Sequence, residues 1–157
     1  MKLILTTLVV SFILISSVKA DDFNCLVEAL YHEARSEDMI PMLAVANVIL
    51  NRVKHKKFPN TICEVVHQGK YWKDNPVRDK CHFSYWCDGR PERFTDMTGL
   101  IKSINVAEMS LKGIQVRQTS QATHYHAYYV TPKWASNSAF KLLGQIGTHI
   151  FYLDNSN

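Results

Sequence analysis

All four cysteines of this 157-residue chain, Cys25, Cys63, Cys81 and Cys87, fall before position 88, and what they can do depends on where the chain folds. Paired thiols persist in oxidising compartments and are rare where thiols are kept reduced. The residues ahead of the cysteines bear on that choice. Met1-Lys2 precedes an apolar run from Leu3 to Ile15, and Ser16-Ser17-Val18-Lys19-Ala20 follows, with Val18 and Ala20 as the small residues of a cleavage site. The run is shorter than the roughly 20 residues a membrane-spanning helix needs. Residues 1–20 are therefore expected to act as a signal peptide and residues 21–157 to be exported. An uncleaved anchor, or a segment that leaves the membrane later, would export the rest equally. One or two disulfides follow. Four cysteines allow three pairings; the short spacing of Cys81 and Cys87 favours that pair and leaves Cys25 for Cys63. A zinc site is the rival use, but there is no C-x-x-C pair.

Without residues 1–20, 137 of the 157 residues remain, a size suited to one domain with a single core. Lys2 and Lys19 go with the leader, so the 18 basic residues fall to 16 against 14 acidic ones, a formal charge of +2. That bias is too small to indicate nucleic acid as a partner. It suits an anionic partner and an ordinary soluble surface alike.

Apolar spacing predicts a helix over residues 25–35, with Leu26, Ala29, Leu30 and Ala34 on one face and Glu33 near its C-terminal end. Asp38 and Pro41 suit the first turn of a second helix, whose stripe of Met42, Val45, Ala46, Ile49, Leu50 and Val53 runs to a basic end at Arg52 to Lys57. Asn47, Asn51 and Arg52 interrupt this stripe and are read as buried groups bonded to the backbone of the segment that follows. From Phe58 to Asp96, prolines, glycines, aromatics and charges alternate, with one short apolar stretch at Ile62 to Val66. This reads as a long, disulfide-held excursion forming one wall of a cleft. A third helix is predicted over Thr98 to Lys112, stopped by Gly113. Thr123 to Tyr129 and Gly147 to Tyr152 alternate and read as two short strands, paired as a hairpin.

His32-Glu33 does not begin a zinc-protease helix, because the residue four after His32 is Ser36 and not a second imidazole. Glu33 stands out instead as a lone carboxylic acid among Leu30, Tyr31 and Ala34, surroundings that favour the protonated form a general acid needs.

Four blocks carry a resemblance. Tyr31-His32-Glu33-Ala34-Arg35-Ser36-Glu37 with Ala44 to Val53, then His82-Phe83-Ser84-Tyr85-Trp86, Ala122-Thr123-His124-Tyr125-His126-Ala127 and Ile146-Gly147-Thr148-His149-Ile150-Phe151-Tyr152 resemble, in order, E-A-R-G-E with A-V-A-x-V-I-L-N-R-V, Q-F-S-W, T-H-Y-H-A and I-G-x-H-x-F-Y. These are the motifs of the cell-wall hydrolases named for the SleB and CwlJ spore-cortex-lytic enzymes. Ser36 replaces a usual glycine and His82 a common glutamine; neither change removes an acid. The resemblance implies an α+β, mainly helical, lysozyme-like single domain with a small β-hairpin and the long disulfide-held loop. It also implies a peptidoglycan-cleaving enzyme, acting alone and without a cofactor, placed in the periplasm, the cell wall or outside the cell. The separate wall-binding module of some spore members is not seen, so attachment falls to the cleft itself or to a wall-anchoring or regulatory partner protein.

Glu33 corresponds to the essential acid of that family. A lytic transglycosylase protonates the glycosidic oxygen between N-acetylmuramic acid and N-acetylglucosamine and then takes the proton of the muramic C6 hydroxyl, closing a 1,6-anhydro ring with one carboxylate. A hydrolytic muramidase would need a second carboxylate, about 5 Å away for retention or about 6.5 to 9.5 Å for inversion. Glu37 is read as structural; Asp88 and Glu92 are the other carboxylates able to reach a cleft. Ser84 and Tyr85 are expected to bind substrate, since aromatic faces cover the apolar side of a sugar ring while hydroxyls bind its edge, and Phe83 is expected in the core. Tyr125, His126 and His149 are further expected substrate contacts. A zinc-dependent amidase or endopeptidase using His124, His126 and His149, and a binding module without catalysis, are the competing classes.

Overall fold

A computed structural model describes residues 20–156 of the chain; apart from Ala20, the expected signal peptide lies outside them. Four helices, α1 (Ala20–Ala34), α2 (Met39–Lys54), the short α3 (Ile62–Val66) and α4 (Met97–Leu111), pack beside two antiparallel sheets. One sheet is a hairpin of β1 (Gly69–Trp72) and β2 (Asn75–Cys81). The other has three strands, β3 (His124–Ala127), β4 (Phe140–Ile146) and β5 (His149–Asp154), in the order β3-β5-β4.

Helix α2 is the axis of the molecule. Met42 to Ile49 are buried without interruption, small Ala44 and Ala46 alternating with Leu43, Val45 and Val48, so the helix can be enclosed on all sides. It packs against α1, α3, α4 and the three-stranded sheet. Of the polar residues in its stripe, Asn47 and Arg52 are buried and Asn51 half-buried, and all three are bonded as expected but to a different partner. Asn47 Oδ1 accepts from Val116 N and Thr119 Oγ1, Asn51 Nδ2 donates to Thr119 O and Ala122 O, and Arg52 Nε donates to Thr123 O at 2.7 Å. These partners lie between α4 and β3, not in the 58–96 excursion. A segment without ladder bonds leaves backbone groups to be satisfied, and Asn47, Asn51 and Arg52 of α2 bond them.

The excursion holds more order than its composition suggests: α3, the hairpin and a 3-10 turn at Ser84–Cys87. Cys25 is joined to Cys63 and Cys81 to Cys87, the pairing favoured by spacing. Strands β1, β2 and β4 were not foreseen. Most of the residues of β1 and β2 are exposed and β2 contains Pro76, while β4 is interrupted by a bulge at Gly144, so none displays the alternation that reveals a half-buried strand. The expected pair over 123–129 and 147–152 does form, but β5 is central and β4, joined to it by Gly147-Thr148, completes the sheet.

Candidate active site

Glu33 ends its helix facing the sheet. Tyr125 and Phe151 are opposite one another in the β3-β5 ladder, and the alternation of strand side chains turns both toward the helices. Tyr125 Oη donates to Glu33 Oε2 at 2.9 Å. Behind them Arg52 is buried, its guanidinium 5.0 Å from the Phe58 ring centre and 5.3 Å from that of Phe83. Together they form the floor of a cavity of about 800 Å³, a volume within the range of ligand sites.

The charges on this floor are tuned by enclosure. Burial raises the Glu33 carboxyl above its ordinary 4.5, and the Tyr125 hydrogen bond and the Arg52 charge bring it back only in part. Burial, reinforced by the Glu33 charge, pushes the Tyr125 hydroxyl well up, so it stays a hydrogen-bond donor. Burial lowers Arg52 to about 10, leaving it a cation at neutral pH. The floor thus favours the protonated form of Glu33 and can still support its carboxylate once the proton has left.

The walls come from the excursion and the sheet. Tyr85 is buried and its ring stacks on His32, centres 4.9 Å apart and planes 10° from parallel; Ser84 beside it is exposed to the cavity, and Phe83 is in the core. Burial lowers the His32 pKa, with Arg35 adding to the effect and Glu92 and Asp88 opposing it. Glu33, Ser84, Tyr85, Tyr125, His126 and His149 all border the one cavity. His126, however, points to the other face of its strand, its ring nitrogens 2.9 Å from Ala127 O and 3.2 Å from Tyr152 Oη; it is wall and not a partner of Glu33. His149 packs edge-on against Tyr125, and its Nδ1 lies 3.8 Å from Glu37 Oε1. Burial keeps it below its ordinary pKa against the pull of Glu37.

Glu37 itself is buried, with Oε1 accepting from the Thr148 amide and hydroxyl and its backbone carbonyl accepting from Lys102 Nζ. It holds the turn before β5 and does not face the cavity. Asp88 and Glu92 do line the outer cleft, and Asp88 Oδ1 accepts from Arg90 N at 2.7 Å. His124 lies among Trp134, Phe140 and Phe58 on the far face of the sheet. Among the described residues no three His, Cys, Asp or Glu side chains come together as a metal ligand set. His32 and Arg52 are among several lining residues whose place in the site their sequence positions do not announce.

The chain and its fold have counterparts among known proteins. A spore cortex-lytic enzyme of Bacillus cereus is 42% identical over 48 residues, which are 31% of this chain but 18% of that protein; the chain thus matches under a fifth of the relative's length. The catalytic domain of the germination-specific lytic transglycosylase SleB from Bacillus anthracis superposes with a TM-score of 0.63 at 26% identity, covering 87% of this chain and 97% of that one. The catalytic domain of the Bacillus cereus SleB protein gives 0.58 at 26% identity, over 84% and 89%. The family model described as Cell Wall Hydrolase matches residues 36–152, beginning just beyond Glu33. With most of its length inside that match, the chain belongs to the Cell Wall Hydrolase family.

Proposed function

We propose that residues 21–157 cleave the glycan strands of peptidoglycan as a lytic transglycosylase, with Glu33 as acid and then base. The observation that carries this reading is the single enclosed carboxyl on the cavity floor, raised in pKa and bonded to Tyr125. The likeness to the lytic transglycosylase domain supports it. Because Tyr125 donates to Oε2, the acid proton of Glu33 belongs on Oε1. That proton goes to the glycosidic oxygen as the bond from it to the muramic C1 breaks. Tyr125 and Arg52 then stabilise the carboxylate, which takes the proton of the C6 hydroxyl while that oxygen bonds to C1. No water is consumed and Glu33 ends protonated.

A substrate of this kind lies outside the cytoplasm, which is what a signal peptide over residues 1–20 would serve. The test is mass spectrometry of the fragments released from purified peptidoglycan by the mature protein and by Glu33→Gln. Anhydro-muramic ends from the wild type, reduced by about 10² to 10⁴ in the variant, are expected. Reducing ends would instead require a water-activating partner and turn attention to Asp88 and Glu92. Freed peptide stems on intact glycan would overturn the reading.

A further inference from the structure

The β1-β2 hairpin leaves Trp72 72% exposed and Tyr71 47% exposed, although two strands alone are scarcely stable in water. Its rigidity comes from its base. Cys81 is bonded to Cys87, and Gly69 fits so closely that an added Cβ would stand 2.9 Å from Cys81 Cα. Tyr71 Oη donates to His67 O at 2.7 Å and accepts from Trp86 Nε1 at 2.9 Å. At the tip, Lys73 and Asp74 hold φ of 46° and 64°, a left-handed turn that non-glycine residues enter at a cost. A fixed hairpin therefore presents an indole with nothing over it but the Lys73 ammonium, 5.9 Å from the ring centre.

The hairpin is joined to the segment that forms the cleft wall. Tyr85, which stacks on His32 inside, is followed by Trp86, which grips the hairpin outside. Arg78 of β2 lies against Gly89, where an added Cβ would be 3.5 Å from its guanidinium carbon, and the flanking Asp88 and Arg90 line the cleft. Lys70, Lys73, Arg78 and Lys80 outnumber Asp74 and Asp79 across the hairpin.

We infer that the hairpin is a second contact for peptidoglycan, the Trp72 ring lying on a sugar of the strand beyond the cleft and the basic side chains meeting carboxylates of its peptide stems. The inference rests on the glycan-cleaving reading of the cleft, yet it can be tested without turnover. Trp72→Ala and the wild type are compared for co-sedimentation with purified insoluble peptidoglycan and for cleavage of short soluble glycan fragments. Stacking of an aromatic ring predicts retention about tenfold weaker in the variant, further weakened in both proteins by salt, with soluble-fragment rates unchanged. Equal retention of the two proteins overturns the inference. So does a variant that keeps wall binding but loses binding to vesicles of anionic lipid, which would make the hairpin a membrane contact. Absence of cleavage of soluble fragments by the wild type would instead count against the reading of the cleft, because retention is read independently.

Discussion

In the proposed mechanism, Glu33 is held in a position that serves chemistry at the expense of stability. Its folded pKa is raised, so the folded state binds the proton more tightly than the unfolded chain, and stability is lost as pH climbs from the ordinary value of 4.5 through the folded one. Glu33→Gln removes that loss while keeping an oxygen for Tyr125. Calorimetry is expected to show the variant melting higher than the wild type at neutral pH, the gap closing toward about pH 4. Tyr125→Phe acts on the same group from the other side. Without a bond that lowers the acid's pKa, the alkaline limb of the rate profile, where Glu33 must remain protonated, is expected to move to higher pH. The rate falls about tenfold as support for the carboxylate is lost; a pH profile on soluble glycan checks both. Glu33, Ser84 and Tyr85 were legible as residues of one cleft because each sits in a motif that is contiguous along the chain. Arg52 was half legible: a cation in an apolar stripe announces burial, but nothing in its spacing shows that it lies behind a glutamate nineteen positions earlier. His32 was judged only as a metal ligand, whereas its use as a stacking surface depends on Tyr85, which only folding brings near.

At the level of elements, α1, α2 and α4 declared themselves through apolar spacing, while β1, β2 and β4 did not because they bury too little to imprint a period. Strand β3 carries a further titration. Burial holds His124 at about 4, below its ordinary 6.5, so the folded state binds its proton less readily and stability is lost as pH falls from 6.5 toward 4. His124→Gln is expected to flatten this acid limb in denaturant melts between those pH values, with some loss at neutral pH from its contacts with Trp134 and Phe140. The Cys25–Cys63 bond ties α1 to α3 across a sequence separation of 38. Replacing both cysteines with serine is expected to lower stability by about 3–4 kcal/mol in the chain-entropy account, read from the denaturation midpoint.

For the molecule as a whole, the decisive contacts are those between the helices and the three-stranded sheet, since the cavity lies between them. Arg52 bonds to Thr123 at one end and Glu37 to Thr148 at the other. Gly147 lets the second contact form: its φ is +59° and an added Cβ would come within 2.7 Å of Pro41 Cβ. Gly147→Ala is therefore expected to destabilise the fold by about 1–3 kcal/mol and, by shifting His149 beside Tyr125, to lower activity even at temperatures where the variant stays folded. Two-state unfolding and specific activity measured together separate the effects. The ring closed by Cys81 and Cys87 also has a meaning in time. Where thiols are kept reduced the ring stays open, and the wall that carries Ser84 and Tyr85 loses its covalent brace. A cell making this chain would hold a blade without its hilt until the protein reached an oxidising space, so that assembly itself acts as the safety catch on a protein built to cut walls.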